Sequence, residues 1–372
     1  MNLLYISNNS NSVDGGLNWS VPASVKAQQK YDNVLWVDLT VGAFQKHWGE
    51  VKAYHNIKDF GDRISLSILP SPFNHPDCVV FEGFYYFEHV RFAKELYKND
   101  IPYVIIPRGS FTKSSFHNGS VWKFLKKKIA HLLFFNSYIY RAAAVQYLTK
   151  TEKLESDRVF ALSSFILPNG ITMPDLKKDK FNDKIRGVFI GRQDILHKGI
   201  DLLFESIKDL KSELRNAGFH LDIYGPPRYD VKKVSQMISD LDISDLVYNH
   251  EVGVSGKDKE NVLLSSDVFF LTSRFEGHPM GLIEALAYGV PVFITRGANM
   301  LDEVKESGAG WTCEIDKDDL KRTLLQMIND CSNLSQYSKN ARDLASNYDW
   351  DKLALLFHDE IAKITNIHKT KM

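Results

Sequence analysis

The chain predicts an α/β protein made of two doubly wound, Rossmann-like domains. Short apolar runs alternate with amphipathic segments almost from end to end, as strands and helices do when they wind around parallel sheets. The alternation comes as two sets. Between them lies LPNGITMPDLKKDK, where Pro168, Asn169, Gly170 and Pro174 break regular structure and the charges that follow mark an exposed connection. With 372 residues and 44% hydrophobic side chains, the sequence can furnish each domain with its own core.

In the first set, Asn2 to Ile6, Val34 to Val37, Ile64 to Leu69, Cys78 to Phe81, Tyr103 to Ile106 and Ala144 to Tyr147 read as strands. In the second, Gly187 to Ile190, His220 to Tyr224, Val268 to Leu271 and Val292 to Ile294 do so, separated by amphipathic segments such as Ile200 to Arg215. The boundary is expected near Met173, giving domains over 1–173 and 174–348. A final amphipathic segment, Asp349 to Thr365, closes the chain.

Forty-six basic and 46 acidic residues balance, so no general affinity for nucleic acid is implied. The balance hides an asymmetry: Ile101 to Thr151 has no Asp or Glu but eight Lys or Arg, namely Arg108, Lys113, Lys123, Lys126, Lys127, Lys128, Arg141 and Lys150. Cys78, Cys313 and Cys331 are scattered without metal-ligand spacing and read as free thiols of a reducing compartment. The opening MNLLYISNNSN has no basic region ahead of a long apolar run, so it reads as a first strand and not a signal peptide. No apolar stretch reaches the ~20 residues that cross a bilayer. The expected location is the cytoplasm.

The chemistry concentrates in Ser273 to Pro291, SRFEGHPMGLIEALAYGVP. Asp267 to Thr272 before it suits a buried strand, and Gly281 to Tyr288 is rich in helix formers. Glu276 then falls in the loop at the strand's carboxyl end, where open α/β sheets bind ligands, and Glu284 falls about one turn into the helix. Gly281 and Leu282 would offer backbone N–H groups at the helix N-terminus, a natural seat for a diphosphate. A second strand-to-helix turn, FIGRQDILHKGID from Phe189 to Asp201, carries Arg192 and Lys198.

With Gly277, Pro279, Gly281, Ala285, Gly289 and Pro291 around them, Glu276 and Glu284 resemble the paired glutamates of the retaining glycosyltransferases of family 4, which have the GT-B fold. The resemblance is strong over residues 186–295 and weak in the first half. It implies two Rossmann-like domains facing each other across a cleft, with the donor held by the second. It also implies that Glu276 contacts hydroxyls of the donor sugar, that Glu284 holds the nucleotide ribose diol, and that Arg192 and Lys198 grip the diphosphate. Gly225 and the Glu251 to Val254 loop would flank the base, and Gly277, His278, Met280, Gly281 and Leu282 would complete the donor site. Gly15 and Gly16, in SVDGGLNWS, resemble the glycine loop that reaches the diphosphate from the first domain. Asn169 and Gly170 match the family's Asn-Gly near the hinge. The closing helix, over 349–372, resembles the one that returns to the first domain, although a plain terminal helix fits its sequence equally well.

One departure stands out. Many members have a histidine after a first-domain strand, close to the donor sugar, whereas this chain reads Ile106-Pro107-Arg108-Gly109-Ser110. Arg108 and His117 are both candidates to replace it, Arg108 as an aid to the leaving group or as an acceptor-phosphate ligand. Asp240-Leu241-Asp242 ends an amphipathic segment without the strand and loop of a metal site, so no metal or other cofactor is expected. Val121 to Tyr140 interleaves four lysines with aromatic and aliphatic residues. It reads either as a core helix with a solvated basic face or as a peripheral contact to an anionic membrane.

The expected function is retaining transfer of a sugar from a nucleotide sugar such as a UDP- or GDP-sugar. The acceptor is a saccharide or lipid-linked saccharide, in capsule, exopolysaccharide or lipopolysaccharide synthesis. A nucleotide-sugar 2-epimerase and a non-catalytic nucleotide-sugar-binding partner are the alternatives.

Overall fold

The structure is a computed structural model that describes residues 1–9, 17–41, 48–111, 134–157, 162–182 and 184–370. The chain divides into two compact units, Met1–Gly170 with Trp350–Met372, and Ile171–Asp349. The division falls just before the Met173 expected from sequence.

The first unit holds β1 (Asn2–Ser7), β2 (Asn33–Asp38), β3 (Tyr54–Asn56), β4 (Cys78–Glu82), β5 (Tyr103–Ile106), β6 (Ala144–Tyr147) and β7 (Ser164–Ile166). They form one sheet in the order β3-β2-β1-β4-β5-β6-β7. The second unit holds β8 (Arg186–Ile190), β9 (His220–Tyr224), β10 (Val247–Asn249), β11 (Val268–Leu271), β12 (Val292–Thr295) and β13 (Gly310–Cys313), in the order β10-β9-β8-β11-β12-β13. Every pairing is parallel.

Parallel strands covered on both faces must be apolar on both. Leu4 and Ile6 of β1 point into one core while Leu3 and Tyr5 point into the other. In β11, Val268 and Phe270 serve one core, Phe269 and Leu271 the opposite one. Phe270 lies across β8, where a Cβ on Gly187 would come within 2.6 Å of its ring.

The strand order reverses between β1 and β4 in the first sheet and between β8 and β11 in the second. In open parallel sheets, ligands bind outside the carboxyl ends of the strands at this reversal. In the second unit this reversal lies at the loops leaving β8 and β11.

Two expectations are corrected. Ile64 to Leu69 is not a strand. Leu66–Ile68 forms one 3-10 turn whose Leu66 amide donates to Glu95 Oε1 at 3.0 Å, and the buried Ile64, Leu66 and Leu69 fill the core without pairing. The segment from Ile200 to Arg215 is two helices, Ile200–Asp209 and Lys211–Asn216, parted at Leu210.

The closing helix, Trp350–Thr370, buries Leu353, Phe357 and Ile361 against Tyr5, Val21 and Val25 of the first unit. Asp32 fixes it: its carboxylate accepts from the Met1 amine at 2.8 Å and from Gln28 Nε2 at 2.6 Å, and lies 3.0 Å from His358 Nδ1. Gly170 lies under the Trp350 ring, where an added Cβ would be 2.4 Å from Cδ2. That close approach is the structural reason for glycine in the Asn169-Gly170 pair.

Candidate active site at the carboxyl ends of β8 and β11

The chain leaving β8 turns at Gly191, and Asp194 caps the short helix Ile195–Lys198 by accepting from the His197 amide at 3.0 Å. Lys198 is its last residue. Gly199 follows at φ 63°, and a Cβ there would lie 2.1 Å from the Thr272 carbonyl. Only glycine allows so close an approach in that conformation. The loop leaving β11 is laced to this turn. Thr272 Oγ1 donates to the Lys198 carbonyl at 3.1 Å, the Arg274 amide to the His197 carbonyl at 2.9 Å, and the Arg274 guanidinium pairs with Asp201 at 2.7 Å.

The result is a contact between the two switch-point loops. Lys198 Nζ lies 2.6 Å from Glu276 Oε1, with each side chain only 11% exposed. Ser273 Oγ donates to the same oxygen at 2.5 Å. His197 stacks on Phe275 at 4.1 Å, and burial lowers its pKa, so the ring favours its neutral form. The Asn299 amide nitrogen donates to the Glu276 carbonyl and, at 3.3 Å, to the Gly277 carbonyl, holding the glutamate loop from below.

The Met280–Ala287 helix starts just beyond. The expectation that both Gly281 and Leu282 offer free amides is half corrected. The Leu282 N–H donates to the Pro279 carbonyl at 3.1 Å, and its side chain is in the core. Met280 and Gly281 are the two first-turn amides with no acceptor among the described residues. A Cβ on Gly281 would make only ordinary contact, at 3.5 Å from Phe269, and one on Gly277 would meet nothing within 4 Å.

Glu284, further along this helix, forms an ion pair with Lys259 of the Gly256–Ser265 helix. Arg192 leaves the same strand end as Lys198 but is not joined to Glu276. Its guanidinium lies 5.5 Å above the Tyr229 ring. Gly225 brings the β9 loop against the β8 loop, since a Cβ there would be 2.4 Å from the Gly191 carbonyl. Its amide donates to Val252, within the Glu251 to Val254 loop, at 3.0 Å. His278 is buried 5.4 Å from Tyr348, with Nδ1 unpartnered among the described residues and its pKa pushed down by burial to about 3. It is a neutral ring and supplies no charge.

Arg108 belongs to the first unit and is committed there. Its Nε and Nη2 bind Glu82, both at 2.8 Å, and Nη1 donates to Ser20 Oγ at 3.0 Å and Asn169 Oδ1 at 2.8 Å. Arg108, Glu82 and Asn169 line a cavity of about 30 Å³ with Gln146 and Tyr5. Its φ of 51° is unusual for a residue with a side chain. Gly15, Gly16, Lys113, His117 and residues 121–133 of the lysine-rich segment lie outside the described residues. Asp240 and Asp242 are taken by Gln236 and Lys211 at 2.7 and 2.6 Å. Among the described residues, no group of three His, Cys, Asp or Glu side chains is placed to hold a metal ion.

Sequence reasoning missed Ser273, Asn299 and Lys259. Ser273 sits three positions before Glu276, a spacing at which a hydroxyl can reach a carboxylate within one turn. Nothing in the charge run GKDKE singles out Lys259.

Comparison with known proteins agrees with this geometry. Residues 175–344, within the second unit, match the family described as glycosyl transferases group 1. The MMP α-(1→4)-mannosyltransferase of Mycolicibacterium hassiacum is 24% identical over 192 residues, covering 51% of this chain and 46% of that protein. The UDP-Gal:α-D-GlcNAc-diphosphoundecaprenol α-1,3-galactosyltransferase of Escherichia coli is 32% identical over 117 residues, 28% of this chain and 30% of that one. The chain spans less than half the length of these curated relatives.

Among solved structures, sucrose-phosphate synthase of Thermosynechococcus elongatus superposes with a TM-score of 0.72 at 15% identity, over 98% of this chain and 99% of that one. HepE of Anabaena, solved with UDP and glucose, gives 0.71 at 16% identity over 98% and 100%. These likenesses establish the fold, which is GT-B, as the resemblance implied.

Proposed function

We propose that the protein is a retaining, metal-independent glycosyltransferase. It moves a sugar from a nucleotide sugar such as a UDP- or GDP-sugar to a saccharide or lipid-linked saccharide acceptor, in the synthesis of bacterial capsule, exopolysaccharide or lipopolysaccharide. The observation that carries this reading is the Lys198–Glu276 pair at the β8/β11 reversal, beside the two unpartnered amides of Met280 and Gly281.

In this reading the diphosphate sits against the Met280 and Gly281 amides, where the helix dipole favours negative charge. Lys198 and Arg192 add fixed cations beside it. Glu276 presents its carboxylate to the donor sugar and Glu284 to the ribose diol, each able to accept two hydrogen bonds from neighbouring hydroxyls. As the bond from the anomeric carbon to the diphosphate breaks, negative charge grows on the departing phosphate and the cations stabilise it where it develops. The acceptor hydroxyl attacks on the same face, its oxygen bonds to the anomeric carbon, and its proton passes to the leaving phosphate oxygen. Arg108 acts as a positioning residue that fixes Asn169. The names of the mannosyl- and galactosyltransferase relatives favour a glycosyl donor.

A panel of nucleotide sugars screened by thermal shift identifies the donor, because a ligand that binds the native state raises its melting temperature. Release of nucleoside diphosphate from that donor is then measured in excess EDTA and is expected to persist. Loss of turnover restored by Mn²⁺ would refute metal independence, and no stabilisation by any nucleotide sugar would refute the donor site.

A further inference from the structure

Many of the described lysines and arginines pair with carboxylates in both units. One group does not. Arg63, Arg91, Lys94 and Lys98 converge on an open groove of about 440 Å³ on the first unit, and none has an ion-pair partner among the described residues. The one carboxylate in the groove, Glu95, is turned to the backbone, accepting from the Leu66 amide at 3.0 Å.

The arrangement follows from the helix Phe87–Lys98. At 3.6 residues per turn, positions 87, 91, 94 and 98 fall within a sector of about 60° and form one stripe about 17 Å long. The opposite side is buried through Val90, Phe92, Ala93 and Leu96. The stripe begins with Phe87, which is 58% exposed, and beside it Phe134 is 47% exposed, the two rings 5.5 Å apart. Two adjoining half-exposed phenyl rings ahead of a row of cations without ion-pair partners suit an interface between water and lipid, because aromatic rings enter the acyl boundary while lysine and arginine meet phosphate.

We propose that the Phe87–Lys98 stripe, with Arg63 and Phe134, is a docking surface for anionic phospholipid. Phe87 and Phe134 insert at the headgroup level, and the four cations lie along the charged surface. The surface is argued from charge and exposure alone. Its use, holding the protein beside lipid-linked acceptors, rests on the glycosyltransferase reading. Phe87 follows the carboxyl end of β4, so the aromatic end of the stripe lies toward the strand ends at which parallel sheets bind ligands.

The test is sedimentation of the full chain with phosphatidylcholine vesicles and with vesicles containing half phosphatidylglycerol, at low and high salt. Wild type is expected to bind only the anionic vesicles and to be released by salt. The combined variant Arg91→Gln, Lys94→Gln, Lys98→Gln should lower the partition coefficient roughly a hundredfold, at the usual increment per charge near a membrane. Phe87→Ser with Phe134→Ser should weaken binding to anionic vesicles without altering retention on heparin resin.

Equal binding to neutral and anionic vesicles, or undiminished binding by the triple variant, would overturn the proposal. So would retention on heparin resin without vesicle binding, which would assign the groove to a soluble polyanion. Melting temperatures guard against misfolding. If the triple variant does not fold, Arg91→Gln alone should still lose several-fold. Donor turnover without vesicles keeps the two readings apart. Its absence in wild type would sink the glycosyltransferase reading and leave the surface standing.

Discussion

Lys198 and Glu276 touch, yet they are assigned to different parts of the donor, and exchanging each in turn separates the roles. Lys198 Nζ is 2.6 Å from Glu276 Oε1, and both side chains are nearly enclosed. Lys198→Ala removes the cation set beside the helix start. A charge-assisted hydrogen bond of this kind contributes about 1.5–3 kcal/mol, so affinity for free nucleoside diphosphate should fall roughly tenfold to a hundredfold or more. The variant also strands a mostly buried carboxylate, which lowers the melting temperature of the free protein. Glu276→Gln has the opposite consequence for nucleotide. It keeps a group that accepts from Ser273 and releases Lys198 from its ion pair, so nucleoside diphosphate should bind as well as to wild type, or more tightly. Turnover should nonetheless drop, because the charged acceptor for the sugar hydroxyls is gone. Titration calorimetry with UDP and GDP, alongside donor turnover, reads both quantities. A Glu276→Gln variant that loses as much nucleotide affinity as Lys198→Ala would refute the division of labour.

Glu284→Gln should weaken nucleoside diphosphate itself, because its carboxylate is assigned to the ribose; unchanged calorimetric affinity would count against that. Gly225→Ala forces a methyl to within 2.4 Å of the Gly191 carbonyl and should cost about 1–3 kcal/mol in stability, seen as a lower melting temperature, with nucleotide binding reduced as the β8 loop shifts. His89 is fully buried against Phe81 with neither ring nitrogen hydrogen-bonded among the described residues, and burial pushes its pKa down to about 3. The unfolded ring takes a proton near pH 6.5 while the folded one does not, so this histidine removes stability as pH falls from about 6.5 toward 3, at about 1.4 kcal/mol per pH unit. His89→Phe should flatten that part of the melting curve against pH, and an unchanged slope would show that His89 is protonated in the fold.

The sequence made the second unit more legible than the first, for a physical reason. Its chemistry is local to two strand-to-helix turns, each following a strand whose apolar run is plain in the sequence. Lys198 and Glu276 were both identified as site residues, although no pattern along the chain states that they touch. That contact arises from the order β8-β11, which is a property of the sheet. The short edge strands β3, β7, β10 and β13 escaped notice because segments such as YHN and VYN carry polar residues with no run to detect. Ile64 to Leu69 was misread because burial alone mimics a strand when the partner is a core and not a neighbouring chain. Arg108 showed only its charge, and its ties to Glu82, Ser20 and Asn169 join residues far apart in sequence.

The second unit begins and ends at one place. Ile171 and Asp349 form a parallel bridge, and the Ile171 amide donates to the Tyr348 carbonyl at 2.7 Å. The chain therefore enters and leaves the unit side by side, while both of its own ends belong to the first unit. In modular terms the second unit is an insertion with a closed mouth. Such a body can be cut out at its mouth, or its neighbouring ends joined and new ends opened elsewhere, without tearing a strand from its sheet.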